Sequence, residues 1–203
     1  MKKIYLAMAI ATLWTTAPNV MAQEDPWLVR FRIVDVDTAN KSDPVGGTGP
    51  SDLITVQKIV IPEVDFSYFF TQNWATELIL TYPQKHDVYL SGAQIGSVKE
   101  LPPTLTVQYH FTPESAFDPY LGAGINYTNF SNVDIANGAI GLSNSSVGYA
   151  LQGGVDYNID KKWSLNFDLK YVEMRSNVYE AGKTISNVQI NPWLIGVGVG
   201  YRF

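Results

Sequence analysis

The side chains of this chain with the most capacity for chemistry are charges spaced two residues apart within otherwise apolar runs. Arg30 and Arg32 alternate with Val29, Phe31 and Ile33. Glu63 and Asp65 alternate with Pro62, Val64 and Phe66. Glu77, Asp156, Asp168 with Lys170, and Arg202 stand in similar company. A spacing of two puts such residues on one face of a strand, with the apolar residues on the other. Four cations then share an interior with five anions, and in a low dielectric these must pair or be wetted. Turn geometry places Arg30 near Asp65 and Arg32 near Glu63 across neighbouring strands. Two outcomes follow: a satisfied polar plug that holds the interior in shape, or a narrow conduction path.

Other reactive types are sparse. His86 sits beside Asp87 with Ser91 nearby, in a long connecting segment, and His110 faces inward on a strand. A nucleophile and its base must converge in space, and one loop dipeptide does not bring them together, so no catalytic residue is assigned. Asp35, Asp37 and Asp43 have no calcium-loop spacing and read as a solvated acidic loop, so no metal ligand or cofactor is expected. The chain has no cysteine, which excludes disulfides, thiol catalysis and cysteine-ligated metals.

The elements that position these residues are alternating segments separated by turn signals. Eight are read: Trp27 to Val34, Val60 to Phe70, Trp74 to Tyr82, Thr104 to Phe111, Tyr120 to Thr128, Val147 to Asn158, Trp163 to Met174, and a terminal strand from Trp193. The last has Trp193, Ile195, Val197, Val199, Tyr201 and Phe203 on one face. Leu194, Gly196, Gly198, Gly200 and Arg202 lie on the other. A large apolar face opposite a bare one suits a barrel wall between lipid and a cramped lumen. Short connectors (residues 71–73, 112–118 and 159–162) alternate with long ones (35–59, 83–103, 129–146 and 175–187) rich in Gly, Asn, Ser and Pro. Aromatic residues gather at the strand ends beside the short connectors: Trp27, Tyr68, Phe70, Trp74, Tyr109, Phe111, Tyr157, Trp163, Tyr201 and Phe203. Tyr82, Tyr127 and Trp193 sketch a thinner belt at the other end. Aromatic belts mark membrane interfaces, whereas a soluble sandwich would scatter these residues along its strands. The fold expected is an eight-stranded antiparallel transmembrane β-barrel with short periplasmic turns and four long extracellular loops.

The ends and the composition agree. Lys2 and Lys3, the apolar run from Ile4 to Trp14 and the small-residue site Val20-Met21-Ala22 read as an export signal over residues 1–22, followed by the barrel over residues 23–203. Loss of the two lysines takes the formal charge from −5 to −7, which speaks against nucleic acid as a partner. A mean hydropathy of −0.03 decides nothing, because half of each barrel strand is polar.

Three blocks carry a more specific signal: Leu101 to Leu105 (LPPTL), Pro119 to Thr128 (PYLGAGINYT), and Asn191-Pro192-Trp193 running to Gly200-Tyr201-Arg202-Phe203. In this order they resemble the outer membrane protein W (OmpW) family, over nearly the whole chain after the signal. The resemblance implies a monomeric eight-stranded barrel in a Gram-negative outer membrane. It also implies association with passage of small hydrophobic compounds and with stress responses. Tyr201 and the terminal Phe203 look like the signal read by the barrel assembly machinery. The charged interior departs from the largely apolar lumen that the family implies, and so speaks against an axial route for hydrophobic solutes.

Prolines suggest another route. Pro62, Pro83, Pro102 and Pro103 fall at the outer ends of the second, third and fourth strands. Proline cannot donate to a ladder. Either these residues merely start loops, or they leave a lateral opening through which a small hydrophobic ligand passes into the lipid of the outer leaflet. The competing functional expectation is a structural, stress or receptor barrel with a plugged lumen and no transport.

Overall fold

Each long strand carries one apolar face and one small or polar face, and a sheet of such strands buries its polar face by closing on itself. A computed structural model describes residues 25–203; the expected signal segment, residues 1–22, lies outside the described residues. Strands run in chain order as β1 (Trp27–Asp37), β2 (Lys41–Ser42), β3 (Ile54–Val56), β4 (Ile59–Phe69), β5 (Trp74–Thr81), β6 (Gln84–Leu90), β7 (Ala93–Leu101) and β8 (Thr104–His110). They continue as β9 (Phe117–Ile135), β10 (Ile140–Leu142), β11 (Ser145–Asn158), β12 (Trp163–Val172), β13 (Arg175–Glu180), β14 (Lys183–Gln189) and β15 (Trp193–Arg202).

Eight of these form the closed wall. β1, β4, β5, β8, β9, β11, β12 and β15 pair antiparallel, each with the next, and β15 returns to pair with β1. The arrangement is inside-out relative to a soluble protein. Phe31, Ile33, Ile125, Val147 and Val197 are exposed, whereas Arg30, Asp65, Glu77, Gln108 and His110 are wholly buried. Outward aromatics touch in chains at the short-turn end: Trp27 with Tyr68, Trp74 with Tyr109 and Phe111, and Trp163 with Tyr201 and Phe203. The opposite belt gains Tyr149 and Tyr171, whose tilted rings form a chain that ends at Trp193.

Close approach of backbones requires glycine on β15. A methyl group at Gly198 would overlap the carbonyl oxygen of Phe31 on β1, and one at Gly196 would press on the Arg32 stem. The bare face of β15 is thus filled by the arginine side chains of its neighbour.

The long connectors differ from expectation. They are strands more than loops. β6 and β7 form a hairpin turning at Ser91–Gly92, β13 and β14 another at Ala181–Gly182, and both turns place their residues at positive φ. β3 pairs with β6, β7 with the upper part of β9, β10 with β9 and β13, and β14 with β2. The wall therefore continues above the outer aromatic belt as a β-sheet collar. Inward-facing Ile54, Val56, Val88, Val98, Phe130, Ile135, Val178, Val188 and Ile190 pack inside it.

Candidate functional site

The interior has three storeys. At the short-turn end Leu28, Phe69 and Ala75 form a small apolar floor. Above it lies the charged layer, which unites Arg30, Arg32, Glu63, Asp65, Glu77, Asp156, Asp168 and Lys170. Arg30 donates to Glu77 Oε1 (2.8 Å), to Ser67 Oγ (2.9 Å) and, through Nε and Nη2, to both oxygens of Asp156. Arg32 reaches Glu63 (3.2 Å) and Asp65 (2.6 Å), and Lys170 Nζ donates to both Glu63 oxygens (3.1 and 3.0 Å). Neither Asp65 oxygen has a well-aligned hydrogen bond, so its tie to Arg32 is ionic.

The backbone register does set Arg30 opposite Asp65 and Arg32 opposite Glu63. Arg32 keeps Glu63 and adds Asp65, whereas Arg30 leaves Asp65 and reaches across the lumen to Glu77 and Asp156. A long guanidinium stem spans a narrow barrel more easily than it folds back onto a short aspartate beside it. Neutral groups complete the layer. Gln108 and Gln152 each donate to Glu77 Oε2 (2.6 and 2.9 Å), Gln152 and Tyr120 donate to Asp168 Oδ2 (2.7 and 2.8 Å), and Asn166 accepts from Arg32 (2.6 Å).

Arg202 does not join. It lies at the short-turn end over the ring of Phe69, 4.2 Å from its centroid, with Nη1 buried and without a hydrogen bond among the described residues. His110 is held by Asp118 (2.7 Å) and stacks on Tyr120. His110, Asp118 and Asp156 gather ligand-type atoms within 4.8 Å, but Arg30 occupies Asp156 and Asp118 occupies His110 Nδ1. Asp37 pairs with Lys58 (2.6 Å) on the outer surface.

The third storey is the apolar vestibule inside the collar. One cavity there, of about 40 Å³, is lined by apolar side chains from β3, β6, β7, β9, β10, β13 and β14, with Ser176 and Glu100 the polar members. A second, of about 30 Å³, lies beneath it, with Val36, Ile61, Ile79, Val172, Met174 and Leu194 on its sides and the Glu63–Lys170 pair in its lining. Glu100 belongs to both cavities. His86, placed by sequence in a loop, is instead wholly buried on β6; its Nε2 lies 3.1 Å from Glu100 Oε1 and its Nδ1 3.1 Å from the carbonyl of Gln57. Burial, the largest influence, opposes charge on this ring. The Glu100 carboxylate, the Gln57 carbonyl and Asp87 outweigh it and raise the pKa above the ordinary 6.5. Ser91 sits at the exposed hairpin tip, beyond the end of β6, and is not part of this buried pair.

The lower cavity meets the wall where the ladder is interrupted. β5 and β8 stop pairing at Ile79–Thr104, and pairing resumes at Gln84–Glu100 between β6 and β7. Residues 80–83 and 101–103 lie between, including Pro83, Pro102 and Pro103. On the other flank, β4 and β5 stop at Glu63–Thr81. The carbonyl of Pro62 accepts from Thr81 Oγ1 (3.2 Å), so its edge without an N–H faces β5. By contrast β8 and β9 stay joined past this level, through Tyr127 N–H to the Pro103 carbonyl (3.0 Å). Ile61, Ile79, Thr81, Pro102 and Thr104 line the cavity at the interruption.

The three-storey barrel can now be compared with known proteins. The family model described as OmpW family matches residues 23–203. The outer-membrane protein y4mB of Sinorhizobium fredii is 45% identical, covering 91% of this chain and 83% of the relative. Outer membrane protein W of Vibrio cholerae is 33% identical, covering 100% of both chains. The chain belongs to the OmpW family. The crystal structure of OprG from Pseudomonas aeruginosa superposes with a TM-score of 0.78 at 27% identity, covering 87% of this chain and 95% of that one. This OmpW-family chain is an outer-membrane β-barrel. Its apolar chamber, obscured in sequence because the connectors look like loops, comes from the collar strands and the upper part of β9. The signal was present as short alternations such as Ile54-Thr55-Val56 and Val178 to Val188, each too brief to stand apart from loop sequence.

Proposed function

We propose that the protein is a passive outer-membrane conduit for small hydrophobic molecules, which enter the vestibule from outside and leave sideways between β5 and the β7–β8 segment into the outer leaflet. The observation that carries this reading is the stacking of an apolar chamber on a polar layer, with an interruption of the wall pairing between β5 and β8 beside the lower cavity. An apolar solute gains nothing by entering the charged layer, whose partners would lose their bonds. It gains by moving from the lower cavity, whose lining mixes apolar and polar side chains, to lipid.

The route has a direct test. The chain lacks cysteine, so Leu80→Cys with Pro103→Cys introduces one pair at positions that would oppose each other if the ladder continued past Ile79–Thr104. Oxidation should lower uptake of a hydrophobic fluorophore into liposomes, and reduction should restore it. Uptake unaffected by a formed crosslink would remove the lateral route. A receptor or structural barrel without transport draws its support from the same closed layer and the projecting collar; uptake no greater than in empty liposomes would favour it. We read no catalysis in the His86–Glu100 pair, because no nucleophile converges on it. Outer-membrane lipids, the assembly machinery acting on Tyr201 and Phe203, and a monomeric state complete the reading.

A further inference from the structure

Two stacked cavities, the upper lined almost wholly by apolar side chains and the lower by apolar and polar ones together, share a single charged side chain at their junction. Glu100 lines both, and a solute passing from the upper to the lower one must go by its carboxylate. A carboxylate only accepts hydrogen bonds and has two oxygens to satisfy. Oε1 lies 3.1 Å from His86 Nε2 without the alignment of a hydrogen bond, and no side-chain hydrogen bond to this carboxylate forms among the described residues. Gln84, its cross-strand neighbour, spends its amide on Thr81 Oγ1 instead (2.5 Å). Around the pair stand Val56, Val88, Val98, Phe130 and Ile190, which offer nothing polar.

We propose that Glu100 is the specificity-determining residue of the vestibule, and that the preferred ligand is a slender apolar molecule bearing one neutral hydrogen-bond donor, an aliphatic alcohol or a phenol. The inference rests on the reading of the vestibule as a ligand chamber. The basic ring of His86 already flanks the Glu100 carboxylate, so a cationic ligand would lose its hydration at an acceptor whose other side is taken. A purely apolar molecule would bury the second carboxylate oxygen unsatisfied. A hydroxyl does neither: it donates to that oxygen while its chain stays among the aliphatic side chains. The slenderness follows from volume. Cavities of about 40 and 30 Å³ have room for only a few waters each, at about 10–15 Å³ for one, which excludes bulky or branched molecules.

The test compares two isomers of equal size, 1-heptanol and hexyl methyl ether, of which only the first has a donor. Binding is followed in lipid nanodiscs through the methyl resonances of Val98 and Ile135. The full-length barrel should favour the alcohol by about tenfold, the range of a hydrogen bond to a charged acceptor. Glu100→Leu should bring the ratio to about one while keeping the ether's affinity, which also reports that the variant is folded. Should that variant fail to fold, Glu100→Gln, a neutral acceptor of the same shape, should lower the ratio several-fold. A ratio near one in the parent, or a ratio that survives both substitutions, overturns the proposal. A preserved ratio without liposome uptake supports it and removes the conduit reading instead.

Discussion

At the scale of single residues, the buried charges determine how much of the barrel's stability is at stake in one substitution. Arg32 contacts Glu63, Asp65 and Glu77, each buried. Replacing it with Met leaves three carboxylates short of a cation. Loss of one partner from a buried pair costs about 3–5 kcal/mol. The urea midpoint of the folded barrel, read from its heat-modifiable mobility on gels, should fall accordingly; an unchanged midpoint would mean that the charged layer does not hold the barrel. Glycine supplies a second prediction. Gly198→Val should prevent closure of the β1–β15 seam and abolish folding into micelles, because the side chain would overlap the Phe31 carbonyl and the Arg32 backbone. Gly141→Ala, whose added methyl would meet only Tyr179 Cβ at 3.9 Å, should fold normally and serves as the control.

At the scale of elements, the β6–β7 hairpin is the part of the wall tied by a titrating group. The His86 pKa is raised in the folded state by Glu100, the Gln57 carbonyl and Asp87, against burial. A raised value means that the folded state binds the proton more tightly than the unfolded one, whose pKa is near 6.5. The contribution is therefore fully present below about 6.5 and is lost as pH rises through the folded-state value. Hydrogen exchange over residues 84–101, corrected for intrinsic rates, should quicken as pH is raised through that window. His86→Gln should remove the dependence; a hairpin whose protection ignores pH would show that the pair carries no weight. The neighbouring interruption at residues 80–83 and 101–103 belongs to the same scale, since it arises where three prolines leave two edges without donors.

At the scale of the whole molecule, eight strands enclose a bore that side chains fill. Here the charged layer fills it, and an axial ion path would have to break bonds among Arg30, Arg32, Glu77 and Asp156. Planar-bilayer recordings should accordingly show little conductance for the parent barrel. Removing Arg30 and Glu77 together, as a double alanine variant, should raise it. Open-pore conductance in the parent would contradict a closed layer. The same division explains how the chain reconciles a polar lumen with an apolar chamber: the two occupy different heights, the first inside the membrane wall and the second inside the collar.

The sequence by itself determined the wall. Strict alternation over eight to twelve residues, with aromatics at the ends, specifies which face meets lipid, and the observed faces of all eight strands follow it, from Arg30 inward and Phe31 outward to Gly198 inward and Val197 outward. It also determined that Arg30, Arg32, Glu63, Asp65, Glu77, Asp156, Asp168 and Lys170 share one space. The Arg32–Glu63 contact follows from register, but only the tertiary structure decided the other partners, because a guanidinium long enough to cross the bore chooses among carboxylates on several strands, as Arg30 does with Glu77 and Asp156. It alone also turned His86 from a loop residue into the partner of Glu100. That pairing depends on β6 and β7 forming a hairpin, and on β7 docking against the upper part of β9. Contacts between distant segments of that kind leave little trace in local alternation.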